Sequence, residues 1–430
     1  MRALVLDSGR TRAALSAARG LARAGWTVGV ASAGRGPATA SRHTSARHRL
    51  IPPEVDPDGF IESIRAAVAQ GRYEVVLPSG DAEVVPLSSR RDEVEAVVPY
   101  APHAAVMRAF DKLELHRAGQ SVGLLSPSTA ESSEQGISRR ELPVFVKARL
   151  HSPEGGTGPA RLTARRADNP RDVSLFSAEI RSAGGIPVLQ EIVEGQLLAV
   201  SLVVDGAGRI VSAVQQVADK LSSQPGISVQ ARTVPLDPRL KRGIARLMRE
   251  LEWFGLAELQ FVNPSQPTLI DFNGRLYGSL ALALGAGANL PAIWAALATG
   301  RQPPPAPPEL AVGRRYHWLE GDLRRALRER RGGLAHDLGG SLRYSIGATH
   351  SIWRLEDPAP TLAALPDVAR RASSSLTRLW RGPRKKATPQ PRGQTQPSDS
   401  QTSRARSAQI SSGGSLPSMG RTPRMGAKSR

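Results

Sequence analysis

The segment TLIDFNGRLYGS, residues 268–279, combines an apolar strand pattern with three polar side chains that could do chemistry. Asp271, Asn273 and Arg275 lie two positions apart, and side chains with that spacing share one face of a β-strand. An apolar strand normally excludes a carboxylate, because burying one without a partner is costly. The pattern therefore raises the question of what this acid, amide and arginine bind.

The segment just before it supplies a partner strand for these polar residues. The intervening residues 263–267, NPSQP, are typical of a turn, so the two strands are expected to form a hairpin. Folding the chain about residue 265 places Gln260 near Asp271 and Glu258 near Asn273. The opposite face of the hairpin is then expected to be core, and it carries Leu259, Phe261, Ile270 and Phe272.

A cluster of carboxylate and amide oxygens on one hairpin face suits a hard cation, above all Mg²⁺, with Mn²⁺ as an alternative. The predicted ligands are Glu258, Gln260, Asp271 and Asn273. No histidine or cysteine is near them in sequence, which argues against zinc. Because Mg²⁺ commonly binds through a few side chains together with substrate phosphates, the cluster also indicates a nucleotide. The alternative is an ordinary solvent-facing polar side of a sheet, which explains the alternation equally well.

Lysine is rare in this chain, which uses arginine almost everywhere a cation is needed. Only Lys112, Lys147, Lys220 and Lys241 precede residue 381. A compact ammonium suits a phosphate oxygen in a confined site better than a guanidinium does, so the lysines are informative. Lys220 and Arg232 are candidate contacts for a substrate carboxylate, with an ordinary surface cation as the alternative for each.

Secondary-structure elements must position these residues. Over residues 1–105 the sequence alternates between strand and helix patterns, which predicts a parallel sheet with helices on its faces. The first strand ends at Gly9, but DSGRTRAAL is not the glycine series GxGxxG of a dinucleotide site, which argues against a dehydrogenase. Ser79, Gly80 and Asp81 follow a later strand at its carboxyl end. Such an edge is either a ligand site or an ordinary turn.

The remaining patterns alternate in the same way up to about residue 300. Residues 141–150 predict a strand that contains Lys147, residues 205–208 (DGAG) a hairpin turn and residues 237–251 a helix. No charged residue lies between Arg275 and Arg301, but internal glycine, asparagine and proline favour two short buried helices over a membrane span. One clear helix, at 319–331, follows the proline-rich stretch 303–308.

Length and composition limit the number of domains and the classes of function that this chain can have. The 430 residues predict two or three domains, and the absence of cysteine excludes disulfides, thiolate nucleophiles and cysteine metal sites. The first strand reads as part of a domain and not as a signal peptide, so a cytoplasmic protein is expected. The formal charge is +20, and the segment 381–430 supplies half of it, with eleven Lys or Arg and one acid. Its composition predicts disorder, and it is either a dispensable extension or an arm that contacts nucleic acid or an anionic surface.

With these motifs in order, the chain resembles the ATP-grasp superfamily, in particular its branch similar to carbamoyl-phosphate synthetase and the carboxylate–amine ligases. LQF followed by LIDFNGR is similar to the strand pair that ends in Glu-x-Asn-Pro-Arg, and DKLELHRAGQSVGLLSPST and LPVFVKA resemble two further motifs of the family. The resemblance implies that Gln260, Asp271 and Asn273 hold magnesium and that Lys112 and Lys147 bind ATP phosphates. SPEGGTG, with Gly155 and Gly156, is similar to the mobile loop that covers those phosphates.

The segment VLQEIVEG resembles the hinge strand between the two ATP-binding lobes. The resemblance implies that Gln190 belongs to the nucleotide site and that the backbone of Glu191 and Val193 hydrogen-bonds adenine. Leu197 stands where the family usually has a carboxylate for the ribose, and Glu194 or Gln196 is the expected substitute. The chain also departs from the family at Asp271, where glutamate is usual, and at Gly274, where proline is usual.

The resemblance implies an α/β ATP-grasp fold, α+β in its ATP-binding lobes, with a Rossmann-like pre-ATP-grasp domain. The expected domains are 1–105 for that domain, 106–190 for the small lobe, 191–302 for the large lobe, 303–380 for a partly helical extension and 381–430 for the tail. The implied activity is an ATP- and magnesium-dependent ligase that makes an acyl phosphate from a small-molecule carboxylate and joins it to an amine, with Lys147 and Arg275 neutralising charge.

Two competing functions remain open. One is an ATP-binding regulatory or scaffold protein on the same fold, which the departures at Asp271, Gly274 and Leu197 favour. The other is a basic nucleic-acid binder, although no aromatic residue follows Trp380, which argues against base stacking by the tail. The oligomeric state is open as well, with a homodimer among the alternatives.

Overall fold

The computed structural model describes residues 1–9, 11–132, 142–150, 164–223, 226–305, 307 and 309–365, all of which fall in one compact unit. The strands are β1 Arg2–Asp7, β2 Thr27–Ser32, β3 Ala46–Arg49, β4 Val75–Leu77, β5 Thr129–Glu131, β6 Val144–Ala148, β7 Arg165–Ala167, β8 Pro187–Glu191, β9 Leu197–Val204, β10 Ile210–Leu221, β11 Ser228–Val234, β12 Gly255–Val262, β13 Thr268–Asn273, β14 Arg315–His317 and β15 Thr349–His350.

The helices, numbered over the same described residues, are α1 Arg12–Arg23, α2 Pro37–Ala40, α3 Pro57–Gly71, α4 Asp81–Ser89, α5 His103–Phe110, α6 Lys112–Ser121, α7 Pro170–Ser182, α8 Pro238–Glu250, α9 Leu280–Gly285, α10 Leu290–Ala298, α11 Leu319–Glu329 and α12 Leu334–Ser345. The chain is thus a mixed helix and sheet protein, as the sequence predicts.

The first 100 residues form the parallel sheet that their alternating pattern predicts. Its strand order is β3-β2-β1-β4, and every neighbouring pair is parallel. Residues 3–7 of β1 are all buried, as expected for a central strand with helices on both faces. The Thr11 side chain caps α1 by accepting from the Ala14 amide at 3.1 Å.

A second, antiparallel sheet has the order β5-β8-β6-β7 and a small core of its own. Helix α7 packs on it through Val173, Phe176 and Ile180, which contact the apolar residues of β6. The predicted strand at 141–150 corresponds to β6, which contains Lys147. This sheet therefore places the lysine on a strand that is rigidly paired on both sides.

The largest sheet has seven strands in the order β13-β12-β9-β10-β11-β14-β15. The predicted DGAG turn joins β9 to β10, and the Asp205 amide donates to the Arg209 carbonyl at 3.0 Å. The segment after residue 303 adds more than the one helix expected from its sequence. It contributes α11 and α12 together with β14 and β15, which extend this sheet beyond β11.

The charge-free segment forms the two short buried helices predicted for it, α9 and α10, and both contact α1 of the first sheet. A single hydrophobic core runs from the first sheet through these helices to the large sheet. Within the described ranges, no helix combines the length and the apolar character that crossing a membrane requires. The continuous core fixes the first sheet against the hairpin β12–β13, and this matters for the site.

Candidate functional site

The hairpin β12–β13 has the register that its sequence predicts. Gln260 pairs with Asp271 and Glu258 pairs with Asn273 across the two antiparallel strands. The turn between the strands includes Asn263 with a φ of 65°, a left-handed conformation that asparagine tolerates better than most residues. The four predicted metal ligands therefore form two pairs on one ladder, separated by the Leu259–Phe272 pair.

One detail of the predicted hairpin is wrong. The register shifts between Gln260 and Phe261, so Phe261 pairs with Leu269 and Ile270 is an extra residue in β13. Such a bulge reverses the alternation of side chains beyond it. Leu269 consequently joins the main core beside Phe272, whereas Ile270 packs in a separate apolar cluster with Leu197 and Val262.

The Glu258 carboxylate is the most deeply buried of the predicted metal ligands that carry a charge. It accepts from Asn273 Nδ2 at 3.1 Å and from the Ser279 hydroxyl at 3.3 Å. Burial raises the pKa of Glu258 to about 7, although the nearby Arg275 charge acts in the opposite direction. A cation beside this carboxylate would favour its ionised form.

The predicted magnesium ligands fit that ion by the chemistry of their donors. Two carboxylates and two amides supply hard oxygen donors, and Gln260, Glu258 and Asn273 line a common cavity of about 110 Å³. Among the described residues, no group of three or more His, Cys, Asp or Glu is placed to hold a metal. The site would therefore depend on amide oxygens and substrate oxygens, which is usual for magnesium.

Arg275 is buried against the first sheet by an ion pair that sequence reasoning did not predict. Its Nε and Nη2 donate to the two carboxylate oxygens of Asp81 at 2.8 and 3.1 Å, and Nη2 also donates to Asn273 Oδ1 at 3.0 Å. Nη1 donates to the Leu276 carbonyl at 3.0 Å. These bonds leave one Nη1 hydrogen for a ligand, so most of the guanidinium orients protein groups.

The edge at Ser79, Gly80 and Asp81 is accordingly filled by the protein itself. The Glu83 carboxylate accepts from the Ser79 amide at 2.7 Å and from the Gly80 amide at 3.0 Å. It also accepts from the Ser8 amide, at the end of β1, at 2.7 Å. Glu83 thus occupies the position between β1 and β4 where an open α/β sheet would bind a ligand, and Asp81 turns toward Arg275.

Gly274 stands where its close packing requires a glycine. A Cβ at this position would lie 2.3 Å from Trp253 Cη2 and 2.9 Å from Phe110 Cε1. Trp253 packs edge-on against Phe272, the neighbour of Asn273, with ring centroids 4.8 Å apart. Trp253 therefore fills the space that a side chain at position 274, such as the proline usual in the family, would need. The end of β13 is tightly packed as a result.

The lysine side of the site is formed by α6 and β6. Lys112, the first residue of α6, has its Nζ 3.4 Å from Asp271 Oδ1, so a predicted phosphate lysine contacts a predicted metal ligand. The preceding Asp111 caps α6 and accepts from Arg149 Nε at 2.6 Å, just after β6. This link holds Lys112 and Lys147 in one rigid arrangement.

Among the described residues, no carboxylate is in hydrogen-bonding contact with the buried Lys147 ammonium. Its Nζ donates to Gln190 Oε1 at 2.6 Å. Burial lowers the pKa of Lys147 to about 8, although the charge of Asp271 acts to raise it. The positive charge of this lysine is therefore not neutralised by its hydrogen-bond partner.

Sequence reasoning missed His116, the second residue that holds Gln190 in place. Because the Lys147 ammonium can only donate, Gln190 Oε1 accepts and Nε2 must donate to His116 Nε2 at 2.7 Å and to Thr129 Oγ1 at 3.1 Å. Burial, together with the two lysine charges, lowers the pKa of His116 to about 3, so the ring is neutral. A signal was present, since His116 lies one helical turn after Lys112 and on the same face of α6.

The hinge residues lie between the second and third sheets. The Glu191 amide donates to the Ser128 carbonyl at 2.9 Å, and Val193 joins the apolar cluster of Leu197 and Ile270. Glu194 is exposed, and Gln196 Nε2 donates to the Ala218 carbonyl at 2.8 Å. The adenine and ribose contacts remain predictions, and Gly155 and Gly156 lie outside the described residues.

The candidate substrate cations Lys220 and Arg232 both have partners within the protein. Lys220 Nζ lies 3.4 Å from Asp337 Oδ1 on α12, and Arg232 Nη1 contacts Asp219 Oδ1. These contacts join β10 to neighbouring elements. A different cation, Arg12 of α1, lines the cavity that contains Glu258 and Asn273.

Comparisons with known proteins bear on the family resemblance and on the fold. Residues 187–321 match a family model described as "ATP-grasp in the biosynthetic pathway with Ter operon". No curated protein sequence matches the chain. A crystal structure of an L-amino acid ligase from Bacillus licheniformis superposes with a TM-score of 0.54 at 13% identity, covering 70% of this chain and 75% of that one.

Two nucleotide complexes are similar to the same extent. The biotin carboxylase domain of 2-oxoglutarate carboxylase from Hydrogenobacter thermophilus, in complex with MgADP, ADP and bicarbonate, has a TM-score of 0.57 at 12% identity and covers 73% of each chain. The N5-carboxyaminoimidazole synthetase of Staphylococcus aureus with ADP has a TM-score of 0.53 at 12% identity, covering 70% of this chain and 78% of that one. The fold, together with the family match over residues 187–321, thus confirms the resemblance to ATP-grasp proteins read from the motifs.

Proposed function

We propose that this protein is an ATP- and magnesium-dependent ligase that converts a small-molecule carboxylate into an acyl phosphate and joins it to an amine or another nucleophile. The observation that carries this proposal is the convergence on Asp271. This carboxylate lies 3.4 Å from the Lys112 ammonium and pairs in register with Gln260, two rungs from the pair of Glu258 and Asn273. Phosphate-binding cations and oxygen ligands for a cation therefore meet at one point.

In this proposal, Lys112 and Lys147 bind and orient the phosphates of ATP. Phosphoryl transfer depends chiefly on positioning and on neutralising charge, with little covalent participation by the protein. Lys147 suits this task because its partner, Gln190, is neutral and leaves the ammonium charge available to a phosphate. His116 contributes by keeping Gln190 oriented.

Glu258, Gln260, Asp271 and Asn273 would hold Mg²⁺, or Mn²⁺ as an alternative, and the bound ion would neutralise phosphate charge during transfer. Arg275 orients Asn273 through the bond to its Oδ1, which directs the Asn273 amide hydrogens toward Glu258. The solved structures with ADP and MgADP that share this fold support the assignment of these cofactors.

The nucleotide base would lie beside the hinge, against the apolar cluster of Val193, Leu197 and Ile270. The backbone of Glu191 and Val193 would hydrogen-bond adenine, with Gly155 and Gly156 of the loop covering the phosphates to exclude water, since an acyl phosphate hydrolyses. This assignment makes residues 106–190 the small lobe and 191–302 the large lobe, because the hinge lies between β8 and β9.

A second candidate function is an ATP-binding regulatory or scaffold protein on the same fold. The observation that favours it is the ion pair of Arg275 with Asp81, which leaves this arginine little capacity to stabilise a transferring phosphoryl group. This candidate binds ATP through the same lysines but releases no phosphate with any carboxylate and amine.

The test is a phosphate-release assay with Mg·ATP and mixed pools of carboxylates and amines. Wild type is expected to release phosphate only when both pools are present, and Lys147→Ala and Asp271→Ala are expected to lower the rate by roughly 100-fold or more. Lys241→Ala and Asp92→Ala, which remove exposed residues of the same types, are the matched controls and should retain the wild-type rate.

Each outcome of this assay decides between the candidates. Equal rates in all five proteins would remove the site assignment. ATP binding by calorimetry without phosphate release under any pool would favour the regulatory candidate. Release that persists after the metal is removed with EDTA would contradict the magnesium assignment.

A further inference from the structure

Arg12 is the cation of the cavity that the proposed mechanism does not use. It is the first residue of α1, in the first sheet's half of the molecule, yet its side chain lines the same cavity of about 110 Å³ as Glu258, Asn273 and Arg275. The continuous core that packs α1 against α9 and α10 brings it there. Lys112 and Lys147 do not line this cavity, so Arg12 faces a different part of the site from the proposed phosphate lysines.

The Arg12 guanidinium is held in a fixed orientation by two neighbours. Its Cζ lies 3.5 Å from the ring centroid of Trp318, which is a close stacking distance, and its Nε donates to the Gly278 carbonyl at 3.4 Å. Trp318 is itself anchored, because it packs against the apolar cluster of Tyr316 and Leu282. Stacking on a ring occupies the face of a guanidinium and leaves the N–H groups at its edge free to bind.

Gly278 is part of this arrangement because any larger residue would displace the arginine. A Cβ at position 278 would lie 2.5 Å from Arg12 Nη2. The glycine carbonyl is fixed in turn by the Tyr316 hydroxyl, which donates to it at 3.0 Å. The close approach of the guanidinium to this backbone therefore depends on the glycine at position 278 and on the Tyr316 hydroxyl.

Arg12 and Arg275 line the same cavity, but they differ in whether an acid of the protein neutralises their charge. Arg275 is in a bidentate ion pair with Asp81, whereas Arg12 makes no ion pair with any residue that the structure describes. The wall also contains the Glu258 carboxylate, which accepts from Ser279 and Asn273, and the neutral Gln216, whose Nε2 donates to the Ser279 hydroxyl at 2.9 Å. The cavity thus has an arginine whose charge is left for a ligand.

We propose that Arg12 binds a carboxylate that one of the two joined molecules carries in addition to its reacting group. A guanidinium in a bidentate pair engages both oxygens of a carboxylate and partly neutralises their charge, which makes a carboxylate held this way a poorer nucleophile toward a phosphate. We therefore assign to Arg12 a carboxylate other than the one that is activated. The substrate class is a dicarboxylic acid or an amino acid nucleophile, and this inference rests on the proposed ligase function.

The experiment measures binding to the full chain without turnover, in the presence of magnesium and the non-hydrolysable nucleotide AMP-PNP. Two matched pairs of probes differ by one carboxylate, succinate against butyrate and L-alanine against ethylamine. Wild type is expected to bind the carboxylate-bearing member of at least one pair roughly 10- to 100-fold more tightly, the range expected for charge-assisted hydrogen bonds. Arg12→Ala should abolish the difference by weakening that member alone.

Two further variants separate the effect of the bidentate hydrogen-bond geometry of the guanidinium from the effect of its charge. Arg12→Lys keeps the charge but cannot form a bidentate pair, so it should recover only part of the discrimination. Arg239→Ala, which removes an exposed arginine of α8, is the matched control and should bind all four probes like wild type. Affinity for AMP-PNP should be the same in all variants, which also shows that they are folded.

The inference is overturned if wild type discriminates within neither pair, if Arg12→Ala keeps the discrimination, or if Arg12→Ala weakens AMP-PNP binding instead. Its failure is separable from that of the ligase proposal. Discrimination that depends on Arg12 in a protein that releases no phosphate would contradict the ligase function alone. Phosphate release by a protein without such discrimination would contradict the role of Arg12 alone.

Discussion

Lys147 and Arg275 are both buried cations of the candidate site, but their partners within the protein differ in charge. The Lys147 ammonium donates to the neutral Gln190, whereas the Arg275 guanidinium is paired with the Asp81 carboxylate. Burial lowers the pKa of Lys147 to about 8. Burial acts in the same direction on Arg275, but the charge and hydrogen bonds of Asp81 raise its pKa overall.

This difference teaches how a buried charge can be assigned to function or to structure. A cation beside a neutral amide keeps its net charge for a ligand, and the protein tolerates the loss of hydration. A cation in a bidentate ion pair is neutralised, and breaking that pair leaves an uncompensated buried charge. Lys147 therefore has the surroundings of a residue that binds an anionic ligand, whereas Arg275 has those of a structural link between the first sheet and the end of β13.

The largest effect is expected from breaking the structural ion pair. Asp81→Asn and Arg275→Ala should each lower the free energy of unfolding by about 3–5 kcal/mol, because each leaves one buried charge without its partner. Lys147→Met should not destabilise the protein, since it removes a buried charge for which the described residues provide no counter-ion in contact. Chemical denaturation of the purified variants measures all three.

Two comparisons sharpen that result. Asp172→Asn removes a partly exposed acid from the first turn of α7 and controls for the loss of an acid at a helix start, which is worth only about 0.3–1 kcal/mol. The double variant Asp81→Asn/Arg275→Ala should be less destabilised than the sum of the two single variants. Additive losses would show that the pair is not a unit.

An intermediate effect is expected from filling the space at Gly274, beside the structural side of the site. Gly274→Ala should lower the free energy of unfolding by about 1–3 kcal/mol, the usual range for overpacking, because the new Cβ would collide with Trp253. Gly34→Ala is the matched control, since no atom lies within 4 Å of its added Cβ. Thermal unfolding that is equal in the two variants would contradict this packing argument.

A smaller effect is expected from giving Lys147 the kind of partner that Arg275 has. Gln190→Glu places a carboxylate at the Lys147 ammonium and should weaken Mg·ATP binding roughly tenfold, because the lysine charge is then neutralised within the protein. Calorimetry measures this affinity. Gln120→Glu adds the same charge at an exposed position of α6 and should leave the affinity unchanged. An unchanged affinity in Gln190→Glu would contradict the proposed phosphate role of Lys147.

The pH dependence of ATP binding provides the control for this argument. With a pKa of about 8 in the free protein, Lys147 loses its proton above that pH, so ATP affinity should fall there. Gln190→Glu should move this decline to higher pH, and Lys147→Arg should remove it. The sign for stability is opposite, because a lowered lysine pKa means that the unfolded chain binds more protons between about pH 8 and its ordinary pKa of 10.5, so stability rises over that interval.

Several features of this protein were determined by the sequence by itself. The alternation of Glu258, Gln260, Asp271 and Asn273 about an NPSQP turn was enough to predict the hairpin register, because strand side chains repeat every two residues and a turn fixes which rungs meet. The charge-free segment predicted two buried helices, α9 and α10, through its internal helix breakers. The family motifs indicated the ATP-grasp fold.

Only the tertiary structure decided which of the charged residues are neutralised. Arg275 meets Asp81 across 194 positions of the chain, and Arg12 meets Trp318 across an even longer interval. The bulge that turns Ile270 away from Phe272 likewise depends on pairing with β12. Local patterns specify the period and the ends of each element, whereas the packing of the first sheet against the large sheet determines which distant side chains become neighbours, and with them which charges remain for a ligand.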